Sequence, residues 1–586
     1  MLKRTHYCGV LRPEHVGQEV VVSGWVATWR DHGGVIFIDL RDRTGLVQAV
    51  FRPEVDPELH RQAGALRSEY CVSIRGRVES RVEGMANPKI ETGEVEIVAS
   101  ELELHSASDP PPFDVDDPGE VSLDARLRYR FLDLRRPEVQ RILTARHRIM
   151  QITRRYLDEN GFLEVETPFL AKSTPEGARD FLVPSRLSPG TFYALPQSPQ
   201  LFKQILMVGG LDRYFQIVKC FRDEDVRANR QPEFTQIDLE MSFADQEDVM
   251  RCVEGLVSRL FEGVLGLEVS LPLPRLSYEE AFDRFGTDAP DLRFALEIRD
   301  VSEVAAASEF QVFKKAVAEG GKVRGICVPG GAEVPRREID GLIEWVKQFG
   351  LPGLAWMKLQ GGKAEGGAAK FFSEGEVAAL ADRLEAQDGS LLLFVAAPRR
   401  LGDVALSHLR QHLASKLGLI PEGQHRLCWV VEAPAFEWDQ ATGRLTFPHH
   451  PFTSPFPEDV PLLDSDPTAA RTRAYDLVLN GSELGGGSVR INDYQLQMRI
   501  FRILGYTDEE ISDRFGFFVN ALRHGAPPHA GIALGLDRVV GKMLHIEDIR
   551  ETIAFPKTQR GVCMLTGAPS RVSEEQIREL GIKLEE

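Results

Sequence analysis

Two arginine-bearing motifs lie far apart in the chain, and each has the composition of a phosphate site. The first is segment 215–243, where a strand-like run reaches Arg222, Asp223 and Glu224, crosses a polar loop to Gln231 and returns as a strand. The Arg222 guanidinium matches a phosphate with two parallel hydrogen bonds, and the Glu224 carboxylate can accept from an adenine amino group. A surface hairpin held by salt bridges has the same composition, so this motif alone leaves both readings open.

The second motif is the glycine-containing segment 531–544. Gly531 and Gly535 allow close backbone approach in a strand, and a helix is predicted to begin near Asp537 and Arg538. Arg538 is therefore expected at a strand-to-helix junction, facing a phosphate. Glycines with one arginine are a weak signal alone, but the two motifs together predict a nucleotide site built on two arginines.

Composition describes an ordinary water-soluble chain with several cores. The sequence has 586 residues, 43% apolar and 27% charged, which predicts three or four domains. It holds no run of roughly 20 apolar residues, and its N-terminus lacks an apolar signal core, so we expect a cytoplasmic protein without a membrane segment. Seven cysteines are scattered singly, which suggests neither a zinc site nor a disulfide framework.

The charge distribution is uneven. A net charge of −18 argues against a nucleic-acid binder, but phosphate contacts depend on local patches. Segment 124–155 holds ten arginines against three acids. Charged segments of this kind more often form a salt-bridged helix face. A cluster in which every cation is arginine instead favours phosphate contact.

The sequence predicts a multidomain α+β protein whose parts differ in composition and in predicted secondary structure. Short Val- and Ile-rich strands fill the N-terminal part and suggest a small closed barrel of the OB type. A Pro- and Asp-rich stretch then marks a boundary, and a Gly-rich α/β insertion interrupts the motif-bearing region. The predicted domains are an OB-fold domain (1–108), a linker (109–140), a first catalytic part (141–291), an inserted α/β domain (292–414), a second catalytic part (415–560) and a C-terminal extension (561–586).

OB barrels bind single-stranded nucleic acid on a strand face that carries stacking aromatic rings. Candidate stacking residues are Trp29, Phe37 and Phe51, with Arg30 and Gln48 as polar partners. Aromatic residues in strands belong to the core more often than to a binding face. The barrel therefore predicts a nucleic-acid surface without fixing which ring forms it.

The two motifs, with the helix and strand of 141–170 and Pro168, resemble the three signature motifs of class II aminoacyl-tRNA synthetases. The more specific resemblance is to the bacterial-type aspartyl-tRNA synthetases of subclass b, which have an antiparallel-sheet catalytic domain. It spans nearly the whole chain, since the barrel and the insertion also fit. The stretches that carry it are 173–184, 197–204, 221–225, 449–455, 479–491 and 535–538.

The resemblance implies an ATP-dependent, AMP-forming aspartate–tRNA ligase. Such an enzyme makes aspartyl-adenylate and pyrophosphate from L-aspartate and ATP, then transfers aspartate to the 3′-terminal ribose of tRNA(Asp), and in some members of tRNA(Asn). It implies Arg222 and Arg538 as catalytic residues and Asp476 and Glu483 as ligands of Mg²⁺. The residues implied to bind ATP are Arg222, Asp223, Glu224, Gln231, Glu483, Gly535, Leu536, Asp537 and Arg538.

The resemblance also assigns the amino acid and the tRNA to named residues. Those implied to bind aspartate are Glu176, Gln200, Lys203, Arg222, His449, His450 and Arg490. The two cations Lys203 and Arg490 would hold the side-chain carboxylate and reject asparagine, whose amide cannot satisfy two positive charges. Gly485, Gly486 and Gly487 are expected to let backbone approach the adenylate. On the tRNA side the implied residues are Arg30, Phe37 and Gln48 for the anticodon, and His32 and Gly84 for relaxed choice between tRNA(Asp) and tRNA(Asn).

Other interpretations share part of this pattern. An asparagine or lysine enzyme of the same subclass has the same barrel and ATP motifs, but a lysine enzyme needs acids around the substrate ammonium. A free-standing asparagine synthetase would leave the barrel without a role. A tRNA-binding protein that had lost catalysis should show broken motifs, whereas Arg222, Glu224, Glu483 and Arg538 are all present. The segment 141–170 further implies a homodimer.

Overall fold

The computed structural model describes residues 1–117, 119, 121–174, 178–227, 229–439 and 442–584. They form two compact units, each treated by itself below. The first holds Met1–Arg148, Asp225–Pro232 and Asp548–Ser573, and the second holds Ile149–Glu224, Glu233–Glu547 and Glu574–Glu586. Each unit combines segments that are distant in sequence, so the units do not test the predicted domain boundaries. Those boundaries stay predictions.

A closed five-stranded barrel lies at the start of the first unit and confirms the predicted OB fold. Its strands close in the order β1-β2-β3-β5-β4. Alternate residues such as Val20 and Val22 point inward, as the period of two requires. Phe51 also lies in this core and Trp29 packs against it, so the expectation that these two rings stack on nucleic acid is wrong. The elements are β1 (Glu19–His32), β2 (Val35–Asp42), β3 (Gly45–Phe51), α1 (Pro57–Gly64), β4 (Cys71–Ser80) and β5 (Val95–Ser106).

Helices follow the barrel, where the arginine-rich segment was noted. Asp133 is fully buried and forms ion pairs with three of the ten arginines: Arg126, Arg130 and Arg136. For these three, the salt-bridged interpretation replaces phosphate contact, because a buried carboxylate needs charged partners. Gly161 has a φ of 77° just beyond α4, which fits the predicted helix stop. The helices are α2 (Leu123–Arg128), α3 (Arg130–Asp133) and α4 (Pro137–Glu159).

The second unit contains an eight-stranded sheet of order β11-β17-β20-β21-β22-β10-β9-β6. Its pairs are antiparallel except at the two edges, where β11–β17 and β6–β9 are parallel. The strand expected over 162–170 is shortened to the two residues of β6, since Pro168 cannot donate to a ladder. The first elements of this unit are β6 (Leu163–Glu164), β7 (Leu182–Pro184), β8 (Phe192–Ala194), α5 (Gln200–Val208), β9 (Arg213–Phe221), β10 (Glu233–Ser242), α6 (Gln246–Leu265), β11 (Arg275–Ser277) and α7 (Tyr278–Phe285).

The insertion forms a separate five-stranded antiparallel sheet of order β12-β13-β16-β14-β15. Alternate residues of β16 enter two different apolar clusters, Leu391 and Leu393 one, Leu392 and Phe394 the other. Both faces of the sheet are therefore covered, as expected for an α/β domain. The elements are β12 (Ile298–Asp300), α8 (Ser302–Ala307), α9 (Gln311–Ala318), β13 (Lys322–Val328), α10 (Arg336–Val346), β14 (Ala355–Gln360), β15 (Lys363–Glu365), α11 (Glu374–Arg383), β16 (Leu391–Ala397) and α12 (Arg399–Lys416).

The chain then returns to the eight-stranded sheet. No helix among the described residues is long and apolar enough to cross a membrane. The last elements are β17 (Leu427–Val431), β18 (Glu437–Asp439), β19 (Arg444–Thr446), α13 (Leu462–Ser465), β20 (Ala474–Leu479), β21 (Ser482–Val489), α14 (Tyr494–Ile503), α15 (Asp508–Leu522), β22 (His529–Gly535), α16 (Leu536–Met543) and α17 (Glu574–Glu579).

Candidate active site

The middle of the eight-stranded sheet has a floor of small residues with acids at both ends. Asp238 on β10 pairs with Ala533 on β22, which pairs with Gly486 on β21, which pairs with Asp476 on β20. Directly paired residues project from the same face of a sheet. Asp238 and Asp476 therefore face the same side, with only Ala533 and Gly486 between them, and a flat ligand can approach the backbone there. We call this row the sheet floor.

Glycines in the neighbouring strands are required by close packing. A Cβ on Gly531 would overlap the Glu240 carboxylate, and a Cβ on Gly485 or Gly487 would overlap carbonyl oxygens of β22. The structure thus gives Gly485 and Gly487 a role between strands. Gly486 alone of the predicted three faces the sheet floor.

Helix α5 lies against this sheet through an unusual polar stripe. Gln200, Lys203, Gln204 and Met207 are all at least 94% buried, at the spacing i, i+3, i+4, i+7. A helix normally buries apolar residues at that spacing, because a buried polar group without a partner costs free energy. Three of the four side chains therefore need polar partners, and these define the site.

Two acids of β10 bring the predicted cations Lys203 and Arg490 together. Lys203 Nζ lies 3.0 Å from Asp238 Oδ2 and 3.3 Å from Glu240 Oε2. Arg490 forms a bidentate ion pair with Glu240, in which Nε donates to Oε1 at 2.8 Å and Nη2 donates to Oε2 at 3.0 Å. The third guanidinium nitrogen of Arg490, Nη1, donates to Ser488 Oγ at 2.6 Å. All four charged side chains are at most 1% exposed, so this cluster sits in a weakly screening environment.

The two acids differ in how firmly they hold their charge. Burial raises the pKa of Asp238 to about 6, although Lys203 pulls it down. Burial also acts to raise the pKa of Glu240, but the charges of Arg490 and Lys203 outweigh it and keep that pKa below its ordinary value. Glu240 is thus the fixed anion of the cluster, and Asp238 is the one that can take up a proton.

Three buried polar atoms near this cluster have no hydrogen-bond partner among the described residues. They are the donors Gln200 Nε2 and Arg222 Nε and the acceptor Asp238 Oδ1. Arg222 lies over the Phe234 ring, 5.1 Å from its centroid, and Phe234 shares the β10 face of Asp238. Native interiors rarely leave such atoms unpaired, so these three fit a ligand that brings anionic oxygens and an ammonium group.

The other end of the sheet floor carries two acids, Asp476 and Glu483. A Cβ on Gly486 would lie 2.5 Å from Asp476 Oδ1 and 3.6 Å from Glu483 Oε1, so the glycine makes room for both carboxylates. Burial raises the pKa of Asp476 well above its usual range, and repulsion from Glu483 adds to this. In the part of the chain that the structure describes, no lysine or arginine pairs with either acid. Two carboxylates in this arrangement fit Mg²⁺, which takes one or two protein carboxylates and completes its shell with phosphates and water.

The predicted histidines lie between the two ends. His449 Nε2 is 3.9 Å from Asp476 Oδ2, and His450 Nε2 is 2.8 Å from Arg490 Nη1. Burial lowers the pKa of His449 to about 4, and burial with the charge of Arg490 holds the pKa of His450 well below its usual value. Both rings are therefore neutral near pH 7 and can accept hydrogen bonds.

The segment around Arg538 forms the junction between β22 and α16, and its side chains have different surroundings. Gly535 ends β22 and α16 begins at Leu536, as predicted from the sequence. Leu536 is buried in the core, and Asp537 accepts from the Thr235 backbone N–H at 2.9 Å, which ties α16 to β10. Arg538 Nη1 donates to the Glu483 carbonyl at 2.5 Å, which places its guanidinium beside the acidic end of the sheet floor.

Several other predicted residues make contacts of their own. Asp223 is exposed, and its backbone N–H donates to the Arg179 carbonyl at 3.0 Å, while Glu224 is half-buried. Gln231 belongs to the first unit, where its Oε1 accepts from the Lys557 backbone N–H at 2.8 Å. Glu176 lies outside the described residues, so its contact with aspartate stays a prediction.

The barrel places its predicted anticodon residues on one outer face. Arg30 pairs across the strands with Phe37, and Arg30 Nη2 lies 2.9 Å from Asp39 Oδ2 and 3.4 Å from Gln48 Oε1. Gln48 also donates to Glu96 at 3.1 Å, and Phe37 is half-buried. His32 ends β1 and is exposed, and Gly84 has a φ of 80° in an exposed loop. Their roles towards tRNA stay predictions.

Sequence reasoning missed Asp238, Glu240, Gln204 and His529. The signal for the first two was present in β10, where acids two residues apart share one face of a strand whose other face carries Ile237, Leu239 and Met241. Gln204 and His529 gave no comparable signal, since their contact joins residues more than three hundred positions apart.

Comparison with known proteins decides the family. Residues 122–559 match the family described as tRNA synthetases class II (D, K and N), and residues 20–104 match the OB-fold nucleic acid binding domain. The chain belongs to the class II aminoacyl-tRNA synthetases. Within this family it is 55% identical over 584 residues to a protein of Halothermothrix orenii named aspartate–tRNA(Asp/Asn) ligase, covering 100% of this chain and 99% of that relative. A protein of the same name from Persephonella marina is 53% identical, covering 99% of this chain and 98% of the relative.

Solved structures of synthetases share the fold. Asparaginyl-tRNA synthetase from Pyrococcus horikoshii, complexed with asparaginyl-adenylate, superposes with a TM-score of 0.60 at 21% identity and covers 95% of this chain and 99% of its own. A putative aspartyl-tRNA synthetase from Leishmania major gives a TM-score of 0.58 at 19% identity, with 94% of each chain covered. These likenesses confirm the predicted fold class of barrel plus antiparallel catalytic sheet.

Proposed function

We propose that this synthetase activates L-aspartate with ATP and transfers it to tRNA(Asp). The observation that carries the proposal is the buried cation pair Lys203 and Arg490, held side by side by Glu240. A carboxylate placed between these cations gains two charge-assisted contacts, whereas an amide offers one neutral acceptor oxygen and an NH2 group that a cation repels. The free acceptor Asp238 Oδ1 supplies a partner for the substrate ammonium.

Activation needs mainly positioning and charge neutralisation. The substrate carboxylate is already a nucleophile, and it attacks the α-phosphorus of ATP while pyrophosphate leaves. Arg222, stacked over Phe234 with a buried unpaired Nε, neutralises the α-phosphate as charge builds. Arg538 holds the outer phosphates beside the acidic end of the sheet floor. Asp476 and Glu483 would hold Mg²⁺, which supplies further neutralisation of phosphate charge when bound.

The deciding experiment is ATP–pyrophosphate exchange on the purified full chain with single amino acids. We expect exchange with L-aspartate and none with L-asparagine or L-lysine. Exchange with asparagine or lysine alone would overturn the substrate assignment and leave the enzyme class standing. A matched pair, Lys203→Met and Lys219→Met, separates the buried cation from a half-exposed lysine on β9, and only the first should lose aspartate exchange.

A second tRNA substrate is favoured by the relatives, whose printed name includes both tRNA(Asp) and tRNA(Asn). We propose that this chain also aspartylates tRNA(Asn), with the exposed His32 and Gly84 allowing the relaxed choice. Charging purified tRNA(Asp) and tRNA(Asn) in parallel tests this. Robust charging of both supports relaxed choice, and charging of tRNA(Asp) alone rules it out.

We also propose a homodimer formed through the exposed sheet edge. The edge strand β6 exposes both of its residues, and Leu163, Phe169 and Leu170 are each more than 40% exposed. An apolar sheet edge of this kind invites pairing with a second copy. Sedimentation velocity should show a dimer, and Leu163→Lys should shift it towards monomer.

A further inference from the structure

A buried histidine links the two elements that carry the cations of the candidate aspartate pocket. His529 begins β22 and is fully buried. Its side chain reaches α5, where Nε2 lies 3.1 Å from Oε1 of Gln204, the residue after Lys203. Its backbone carbonyl accepts from the N–H of Arg490 at 2.9 Å. One residue therefore contacts both the helix of Lys203 and the backbone of Arg490.

The ring of His529 is itself fixed. Nδ1 lies 2.8 Å from the Pro527 carbonyl, and because a carbonyl can only accept, Nδ1 carries the proton. In the neutral ring Nε2 is then an acceptor, and a half turn of the Gln204 amide presents a donor to it. Gln204 is fully buried, and the half turn gives up only the 3.4 Å contact of its Nε2 with the Gln200 carbonyl. Helix α5 thus has a polar anchor to β22 at the turn that carries Lys203.

This anchor is needed because the apolar attachment of α5, through Leu201, is to the cluster formed by α14 and α15 and not to the sheet. The helix meets the sheet through a polar stripe in which only Met207 is apolar. The ion pairs of Lys203 fix the end of a long flexible side chain, but they do not by themselves fix the helix. We propose that His529 is a positioning residue that sets α5, and with it Lys203, at the distance from Arg490 that suits the aspartate carboxylate.

The inference rests on the proposed aspartate activity and predicts a selective defect. His529→Ala should raise the KM for L-aspartate in pyrophosphate exchange about tenfold and leave kcat and the KM for ATP within about twofold. It should also lower the preference for aspartate over asparagine as a competing ligand. A residue needed only for folding would instead lower the amount of active enzyme and shift both KM values or neither.

Isosteric variants make the test specific. The amide of a glutamine reaches the position of Nε2, whereas that of an asparagine reaches the position of Nδ1. His529→Gln should therefore restore most of the aspartate KM, and His529→Asn should not. Gln204→Ala should reproduce the defect of His529→Ala, and the double variant should add little to either, since both changes break one contact.

The outcomes separate this inference from the proposed function. If the parent enzyme shows no exchange with aspartate, the proposed function fails first. If the parent exchanges normally, an unchanged aspartate KM in His529→Ala, a parallel rise in the KM for ATP, or a His529→Gln variant no better than His529→Asn each overturns the positioning role. Thermal unfolding of every variant, measured beside the kinetics, shows that the compared proteins are folded.

Discussion

The two ends of the sheet floor differ in how their charges are balanced. At the β10 end, two acids and two cations neutralise one another, and all four side chains are at most 1% exposed. At the β20 end, Asp476 and Glu483 lie next to each other, and the described residues provide neither with a lysine or arginine. At the first end the chain balances its own charges and leaves single donors and acceptors for a ligand. The second end is a carboxylate pair that a cation from solution would complete.

This difference is what a two-substrate site requires. A small amino acid is recognised by shape and charge, so its partners must be held rigid before it arrives. ATP carries its own metal ion, and a preformed protein cation in that position would compete with it. We call the end with Lys203, Asp238, Glu240 and Arg490 the balanced end and the end with Asp476 and Glu483 the acidic end. Mutation of the balanced end should lower both stability and specificity. Mutation of the acidic end should lower metal-dependent activity alone.

The largest expected effect comes from breaking the balanced end. Arg490→Met removes the fork and leaves Glu240 buried without its main partner, which should cost about 3–5 kcal/mol of unfolding free energy. Aspartate-dependent exchange should fall by about 1,000-fold or more, since a buried polar contact to the substrate is lost. Chemical denaturation and exchange assays measure the two effects.

The control adds Glu240→Met to the same chain. Without the unpaired anion the double variant should recover most of the lost unfolding free energy and none of the exchange activity. An Arg490→Met protein as stable as the parent would show that Glu240 does not depend on this pair, and would contradict the comparison.

A smaller effect is expected at the acidic end. Asp476→Asn should reduce exchange about 100-fold at millimolar Mg²⁺, because one of two metal-binding carboxylates is gone. Its stability should not fall. The pKa of Asp476 is raised in the folded state, so the stability linked to it is present below its unfolded pKa and is lost as pH rises through the folded pKa.

At pH 8 without Mg²⁺ the Asp476→Asn variant should therefore unfold at a temperature equal to or above that of the parent. Asp459→Asn is the matched control, since Asp459 bonds to Arg471 and its pKa is lowered. That variant should be less stable than the parent. If Asp476→Asn were the less stable of the two, the acidic end would be a structural pair.

The sequence allowed the barrel, the catalytic sheet and most of the charged site to be predicted, for different physical reasons. Strand alternation and turn residues are local, so a small closed barrel followed from the pattern alone. Lys203 and Arg490 were found through motif resemblance, yet the ion pair of Arg490 with Glu240 joins residues 250 positions apart. His529 was missed for the same reason. Phe51 was misassigned because an aromatic residue in a strand has the same pattern whether it faces the core or solvent.

One of the two acids at the balanced end can titrate. Asp238 has a pKa of about 6, raised by burial, whereas that of Glu240 is lowered. Ionised Asp238 is needed to accept from the substrate ammonium, so the KM for aspartate should rise about tenfold between pH 7 and pH 5. The carboxylates of the substrate stay ionised in this range, and His449, with a pKa of about 4, stays neutral.

Exchange kinetics across pH 5–8 measure this rise. Asp238→Asn should bind aspartate weakly at every pH and show no acid limb. A limb near pH 6 that persists in Asp238→Asn would assign the titration to another group, and would remove the contrast between a fixed and a titrating acid at the balanced end.

The smallest expected effect concerns space at the acidic end. Gly486→Ala places a Cβ 2.5 Å from Asp476 Oδ1, close enough to push that carboxylate away from Glu483. The Mg²⁺ concentration that half-saturates exchange should rise a few-fold, roughly threefold to tenfold, because the two carboxylates no longer face one ion. The KM for aspartate should stay unchanged, since Gly486 lies two strands away from Asp238. If the aspartate KM rises as much as the Mg²⁺ requirement, the two ends of the sheet floor are not independent, and a single distortion of the sheet accounts for both.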